Sequence, residues 1–208
     1  MSLSPEESLE QNCLAQRWQS LQGDSGLFTI AETEFDQGTH FLAACDLWLK
    51  STSKPWRLQF ISASARPLNR AQLQKALADW PQYAHLATAL ISQYPATIDG
   101  IHHLELFDGR VNLCLMFGDA GAMFNEIAQS ADPDLASHNT KPIDAWFIGT
   151  ESPQLRQTIS ALSGPDTSMA GNTDFDVIAK TASPWYLDRA KPSQHKKTVA
   201  ILGAGIAG

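Results

Sequence analysis

Three stretches of the chain carry residues whose types and spacing suit a nucleoside or phosphate ligand. The first is the turn Glu32-Thr33-Glu34-Phe35-Asp36-Gln37-Gly38. It follows a short apolar run with strand character, Phe28, Ile30 and Ala31. After it, Phe41, Leu42, Cys45, Trp48 and Leu49 recur at helical spacing between Gly38 and Lys50. An α/β nucleotide-binding domain builds its cofactor site in such a strand-turn-helix, where the backbone must come within contact distance of the ligand and often needs positive φ. This turn offers one glycine, Gly38, among the carboxylates Glu32, Glu34 and Asp36. The second stretch is Gly118-Asp119, ahead of a helical segment from about Ala120 to Gln129; Asp119 can cap that helix or bind an amine or hydroxyl of a ligand. The third is Lys196-Lys197, an apolar run from Thr198 to Leu202, and then Gly203-Ala204-Gly205-Ile206-Ala207-Gly208. Strand followed by G-x-G-x-x-G is the order that cradles a dinucleotide pyrophosphate; the alternative is a C-terminal strand with a glycine tail that holds no ligand.

Other reactive residue types point to structure. His102 and His103 are adjacent, so in a strand they face opposite ways and cannot chelate one ion together. Cys13, Cys45 and Cys114 are far apart, lie among apolar neighbours and form no C-x-x-C pair, which reads as buried, reduced thiols.

The elements that must position these residues follow in order. Ser4-Pro5-Glu6-Glu7 opens a helix expected to run to about Leu21: serine caps it, proline takes the first turn and the acids complement the dipole. Gly23 to Gly26 breaks it before the strand at Phe28. A second strand spans Trp56 to Ser62, and Ser64 and Ala65 stand at its tip, where nucleoside-binding folds keep an acid for the ribose hydroxyls. Asn69 caps a helix through Trp80, and Pro81 starts another that ends before Pro95. Asp108-Gly109-Arg110 joins His103–Phe107 to Val111–Phe117 as a hairpin. Ile143 to Ile148 reads as a central strand, and Gly149-Thr150-Glu151-Ser152-Pro153 is the place for catalytic groups at its end.

Composition narrows the class. The chain has 208 residues, 43% apolar and 18% charged, enough for one good core and part of a second. It lacks a bilayer-length apolar run and a secretory signal pattern, so a cytoplasmic protein with no membrane partner is expected. The net charge of −7 opposes a nucleic-acid backbone.

Residues from about Gly26 to Ile148 resemble the N-terminal methyltransferase domain of the bifunctional enzyme that completes methylaminomethyl-thiouridine at the wobble position of bacterial tRNA. The phrases AETEFDQGTHFLAACDLW, RLQFISASARPLNRAQL, DGRVNLCLMFGD and IDAWFIG carry the resemblance. It implies a Rossmann-like class I methyltransferase fold with a mostly parallel sheet. Glu32, Gly38, Phe41, Leu42, Gly118, Asp119, Asp144, Trp146 and Phe147 match the family pattern, so that Glu32, Gly38 and Asp119 become the residual S-adenosylmethionine-site positions. Three places depart from it. Glu34 and Asp36 replace two turn glycines where the methionine moiety rests, Ser64 replaces the ribose-binding acid, and Gly149 replaces an aspartate proposed to act on the substrate amine. Gly203, Gly205 and Gly208 match the start of the family's FAD-dependent oxidoreductase half.

The expected plan is an N-terminal helix over 1–25, a methyltransferase-like domain over 26–180, a linker over 181–197 and the beginning of an FAD-binding Rossmann domain over 198–208. The sheet is expected to be truncated, with one helix and one strand, Phe175 to Ala179, after Gln154; its edge then needs a covering partner. The resulting expectation is a fragment of a tRNA wobble-uridine modification enzyme whose methyltransferase half has lost activity. It would serve as a structural or tRNA-orienting module, its partners being its own C-terminal FAD domain and, through the full-length protein, tRNA. The alternatives are a working S-adenosylmethionine-dependent methyltransferase acting on aminomethyl-uridine and an interaction module unrelated to tRNA.

Overall fold

The computed structural model describes residues 3–23, 25–52, 55–130, 143–149 and 152–171. Its strands are β1 (Gly26–Glu32), β2 (Trp56–Ser64), β3 (Gly100–Leu106), β4 (Val111–Phe117), β5 (Ile143–Ile148) and β6 (Ser163–Gly171). They form one sheet in the order β3-β4-β2-β1-β5-β6. All neighbours are parallel except the β3–β4 hairpin. The helices are α1 (Pro5–Gln11), α2 (Leu14–Gln19), α3 (Thr39–Ser51), α4 (Arg70–Leu77), α5 (Ala84–Gln93), α6 (Ala120–Ser130) and α7 (Pro153–Leu162).

Alternation along the strands assigns them to two cores, because successive side chains leave a strand on opposite faces. Phe28 and Ile30 of β1, Leu58 and Phe60 of β2, and Leu113, Leu115 and Phe117 of β4 pack with Trp18, Phe41, Trp48, Leu73 and Leu90 from the N-terminal helices, α3, α4 and α5. Ala31, Ala63, Met116 and Trp146 face the other way, onto Phe124 of α6 and Leu155 and Ile159 of α7. Strands buried on both faces read as near-continuous apolar runs, which is why β4 (VNLCLMF) and β5 (IDAWFI) stand out.

Local signals set the helix starts. Ser4 Oγ accepts from Glu7 N at 3.2 Å while Ser4 N donates to Glu7 Oε2 at 2.8 Å, a reciprocal cap with Pro5 in the first turn. Asn69 and Gln72 make the same exchange at α4.

Two expectations are corrected. The N-terminal helix is two helices: the chain breaks at Asn12–Cys13, where Cys13 takes a left-handed φ of 49°. The break lets the buried Asn12 side chain reach inward, its Nδ2 donating to Trp146 O at 2.9 Å. For the same reason Cys13 is exposed, whereas Cys45 and Cys114 are buried as expected. Beside these, β6 forms from the polar stretch Ser163–Gly171, ahead of the strand expected at Phe175–Ala179, a stretch that apolar patterning passes over. At the sheet edge its polar atoms find partners: Thr167 Oγ1 donates to Ile143 O at 2.5 Å and Ser163 Oγ accepts from Trp146 Nε1 at 3.0 Å. Phe175–Ala179, the linker and the C-terminal motif with Gly203, Gly205 and Gly208 lie outside the described residues.

Candidate cofactor site

In an open parallel sheet the ligand crevice lies beyond the carboxyl ends of the strands, where the strand order reverses. Here β1 has β2 on one side and β5 on the other, so the reversal falls at Glu32, which pairs with Ser62 of β2 and Phe147 of β5. The turn after Glu32 is tied to both neighbours. Thr33 N donates to Phe147 O at 3.0 Å and Phe35 N to Ala63 O at 2.7 Å. Gly149 N donates back to Thr33 Oγ1 at 2.9 Å.

Phe35 decides the shape of the bend. Its side chain turns inward, 2% exposed, against Phe41 and Tyr94, with ring centroids 6.5 Å away in each case. The ring lies under Gly38, where an added Cβ would stand 2.7 Å from Phe35 Cζ. Gly38, at φ 73°, needs glycine both for its left-handed backbone and for this approach. Asp36 also takes a positive φ, 43°, without being glycine. The trace of a tight ligand-cradling turn is therefore kept while side chains project from it.

A cavity of about 790 Å³ opens beside the bend. Glu7, Glu32, Glu34 and Asp36 line it with His40 and Gly149, and no Lys or Arg is among the described lining residues. A field of this sign favours cationic groups and repels phosphate. Glu32 is 2% exposed. Its Oε2 accepts from Ser62 Oγ at 2.7 Å, and its Oε1 lies 3.0 Å from His40 Nδ1. His40 Nε2 in turn lies 3.2 Å from Ser8 Oγ, and the imidazole packs 5.4 Å from the Phe147 ring. Burial pulls the His40 pKa down, but the hydrogen bond and charge of Glu32, with the Leu3 carbonyl and Asp36, outweigh it and leave the pKa raised.

The positions expected from the sequence do not converge on one cavity. Glu32 lines the acidic cavity, and Gly38 sits at the start of α3 beneath Phe35. Asp119 caps α6, its Oδ1 accepting from Ala122 N at 2.9 Å, and lines a second cavity of about 690 Å³ between α6 and α7. Ser64 is buried at the end of β2, its carbonyl accepting from Gly118 N at 2.9 Å. His102 packs on Phe117 at 4.8 Å and its Nε2 donates to Ile98 O at 2.8 Å, while His103 pairs with Cys114 across the hairpin. His40 and Ser8 were missed. His40 stands two residues after the turn glycine on the first turn of α3, a signal of proximity to the site; Ser8 offers none beyond membership of an N-terminal helix.

No family model matches the chain. Curated relatives do. The tRNA 5-methylaminomethyl-2-thiouridine biosynthesis bifunctional protein MnmC of Methylobacillus flagellatus is 35% identical over 181 residues, 83% of this chain and 26% of its own length. The MnmC proteins of Marinomonas sp. and Pseudomonas savastanoi pv. phaseolicola are 38% and 30% identical, over 70% and 96% of this chain and 19% and 35% of theirs. The chain thus spans about a quarter of the length of the first curated relatives it matches. The crystal structure of MnmC2 from Aquifex aeolicus superimposes with a TM-score of 0.51 at 15% identity, covering 78% of this chain and 47% of that one, and shows the shared fold. Sequence likeness across most of its residues and a six-stranded, mostly parallel α/β sheet together make this chain a member of the MnmC family.

Proposed function

We propose that this chain is the methyltransferase-like part of a tRNA wobble-uridine modification protein, without methyl-transfer activity of its own. In this reading it is a structural or tRNA-orienting module for an FAD-dependent oxidoreductase domain that begins at Gly203, Gly205 and Gly208. The observation that carries the reading is the bend after β1. S-adenosylmethionine needs bare backbone there, and this bend presents Glu34 and Asp36 to the cavity and folds Phe35 under Gly38. The residues present do not fit that cofactor. Titration calorimetry of the chain with S-adenosylmethionine tests this: absence of saturable heat is expected, and micromolar binding overturns it.

One observation favours the second reading, an active methyltransferase. An added Cβ at Gly149 would lie 3.1 Å from Glu34 Oε2, so Glu34 brings a carboxylate close to where residue 149 would carry one. The turn acid then occupies the place of the substrate-facing aspartate that the family resemblance assigns to that position. A chain that methylates aminomethyl-uridine tRNA, and loses this with Glu34→Gln, would establish the second reading.

A further inference from the structure

Ser8, His40 and Glu32 form a chain of contacts along the acidic cavity, and the function proposed above uses none of them. Glu32 ends β1 with its side chain 3% exposed, and Ser62 Oγ donates to its Oε2 at 2.7 Å, which fixes the carboxylate. Its Oε1 lies 3.0 Å from His40 Nδ1. A neutral imidazole that gives Nδ1–H to this carboxylate keeps its lone pair on Nε2, and Nε2 lies 3.2 Å from Ser8 Oγ. The hydroxyl of a helical serine commonly turns back to the carbonyl four residues earlier; that of Ser8 meets an imidazole 32 residues away in the chain.

The helix α1 holds Ser8 in place. Pro5 and Ser8 are buried, Leu3 and Leu9 pack against the core, and Tyr83 OH donates to Glu6 Oε1 at 3.1 Å. Asn12 Nδ2, bonded to Trp146 O, anchors the end of the helix. Hydroxyl, imidazole and carboxylate therefore come from α1, α3 and β1, elements whose packing fixes the separations between them.

We propose that Ser8, His40 and Glu32 form a hydrolytic triad and that the chain cleaves small esters carrying a protonated amine beside the carbonyl. Ser8 Oγ adds to the carbonyl carbon while its proton passes to His40 Nε2 and the carbonyl electron pair moves onto oxygen. When that pair returns, the bond to the ester oxygen breaks and the leaving alcohol takes the proton from His40. Water repeats the sequence on the acyl-serine: His40 takes its proton, the acid is released and Ser8 regains its hydrogen. Glu32 is the positioning residue, which holds the tautomer and stabilises the imidazolium. Donors for the oxyanion line the same cavity: Thr39 and His40 open the 13-residue helix α3, and their amides lack an intrahelical acceptor behind a Gly38 cap that has no side chain.

The field of the cavity selects the substrate. Glu7, Glu34 and Asp36 attract a cation and disfavour a bare oxyanion, so a molecule that brings a positive charge next to its carbonyl answers both effects. An α-amino ester is the simplest such molecule. The triad requires no S-adenosylmethionine, so it stands or falls separately from the functional reading above.

Incubating the full-length protein with alanine p-nitrophenyl ester and with its N-acetyl counterpart tests the proposal, together with a fluorophosphonate whose adduct is located by peptide mass spectrometry. After correction for spontaneous hydrolysis, faster release of p-nitrophenol from the free-amine ester is expected, with phosphonylation of Ser8 that this ester competes away. Ser8→Ala and His40→Ala should each lower kcat by about 10²–10⁴-fold, and the two together no further. Glu32→Gln should also move the pH of half-maximal rate downwards. Burial pulls the His40 pKa down and Glu32 is the chief group holding it up, ahead of the Leu3 carbonyl and Asp36, while Ser8 and the Phe147 ring bring no charge. The absence of an adduct at Ser8, hydrolysis unchanged by Ser8→Ala, or a preference for the acetylated ester overturns the proposal. Labelling and ester preference of the wild-type protein decide it if a variant fails to fold.

Discussion

Replacing Gly38 with alanine tests whether the bend is packed shut by Phe35. At φ 73° a Cβ costs about 1–2 kcal/mol in left-handed backbone strain. It would also stand 2.7 Å from Cζ and 3.1 Å from Cε1 of a ring that is 2% exposed and held by Phe41 and Tyr94. Forcing a methyl into such a site costs about a further 1–3 kcal/mol. Gly38→Ala should therefore destabilise by about 2–5 kcal/mol, lowering the urea midpoint by about 1–2.5 M at a slope of about 2 kcal/mol/M. Phe35→Leu removes the atoms in collision at a cost of about 1–2 kcal/mol, as a modest large-to-small change in a buried site. In that background Gly38→Ala should cost the backbone strain alone, about 1–2 kcal/mol, leaving a coupling energy of about 1–3 kcal/mol. An equal cost in both backgrounds would refute the packing of Phe35 beneath Gly38, and with it the physical basis for reading the bend as closed to a cofactor.

Other consequences are quickly checked. Arg17→Met keeps the stem over Phe28, whose ring centre lies 5.0 Å from the guanidinium carbon, but strips the hydrogen bonds to Asp144 O, Ser168 and Asp166 O. It should cost about 1.5–3 kcal/mol in chemical unfolding, with β6 amides deprotected before those of β2. Iodoacetamide at neutral pH should add one label to the folded chain, at Cys13. Burial pushes the Cys45 thiol well up and the Cys114 thiol to about 11, so labelling of either before unfolding would contradict their placement. Stability measured against His40→Asn should show the wild-type advantage full below about pH 6.5 and shrinking as pH rises through the raised His40 pKa; an advantage that grows with pH would reverse the assigned sign.

The sequence exposed most of the scaffold because its signals were local. Apolar strands, the Asp108-Gly109 hairpin and the caps at Ser4 and Asn69 depend on residues a few places apart. What it hid depends on contacts distant in the chain. The break at Asn12–Cys13 exists because Asn12 reaches Trp146, 134 residues away, and helical periodicity carries no trace of that bond. β6 is polar because an edge strand anchored by Thr167, Ser163 and Arg17 has no need of an apolar run. At the site, the charge of the bend was legible, but the inward turn of Phe35 was not. A phenylalanine between two acids reads as an exposed turn residue until the hollow formed by Phe41 and Tyr94 is known.

The sign of the cavity bears on how RNA would meet this protein. Glu7, Glu32, Glu34 and Asp36 at one mouth, in a chain of net charge −7, repel a phosphate backbone while favouring a protonated amine. A wobble nucleoside would have to enter base-first with its phosphates held elsewhere, and affinity for phosphates comes from Lys and Arg through counterion release. In the reading proposed above, that basic surface belongs to the part of the relatives' length that this chain, about a quarter of it, does not span. This chain alone should then bind tRNA weakly and with a shallow salt dependence. Fluorescence anisotropy between about 50 and 200 mM salt measures it, since a protein making about 6–10 phosphate contacts loses about 10³–10⁵ in affinity over that range. Tight binding with such a slope would place a basic RNA surface on this chain and end the argument that its cavity and its RNA contacts are supplied by different parts of the protein.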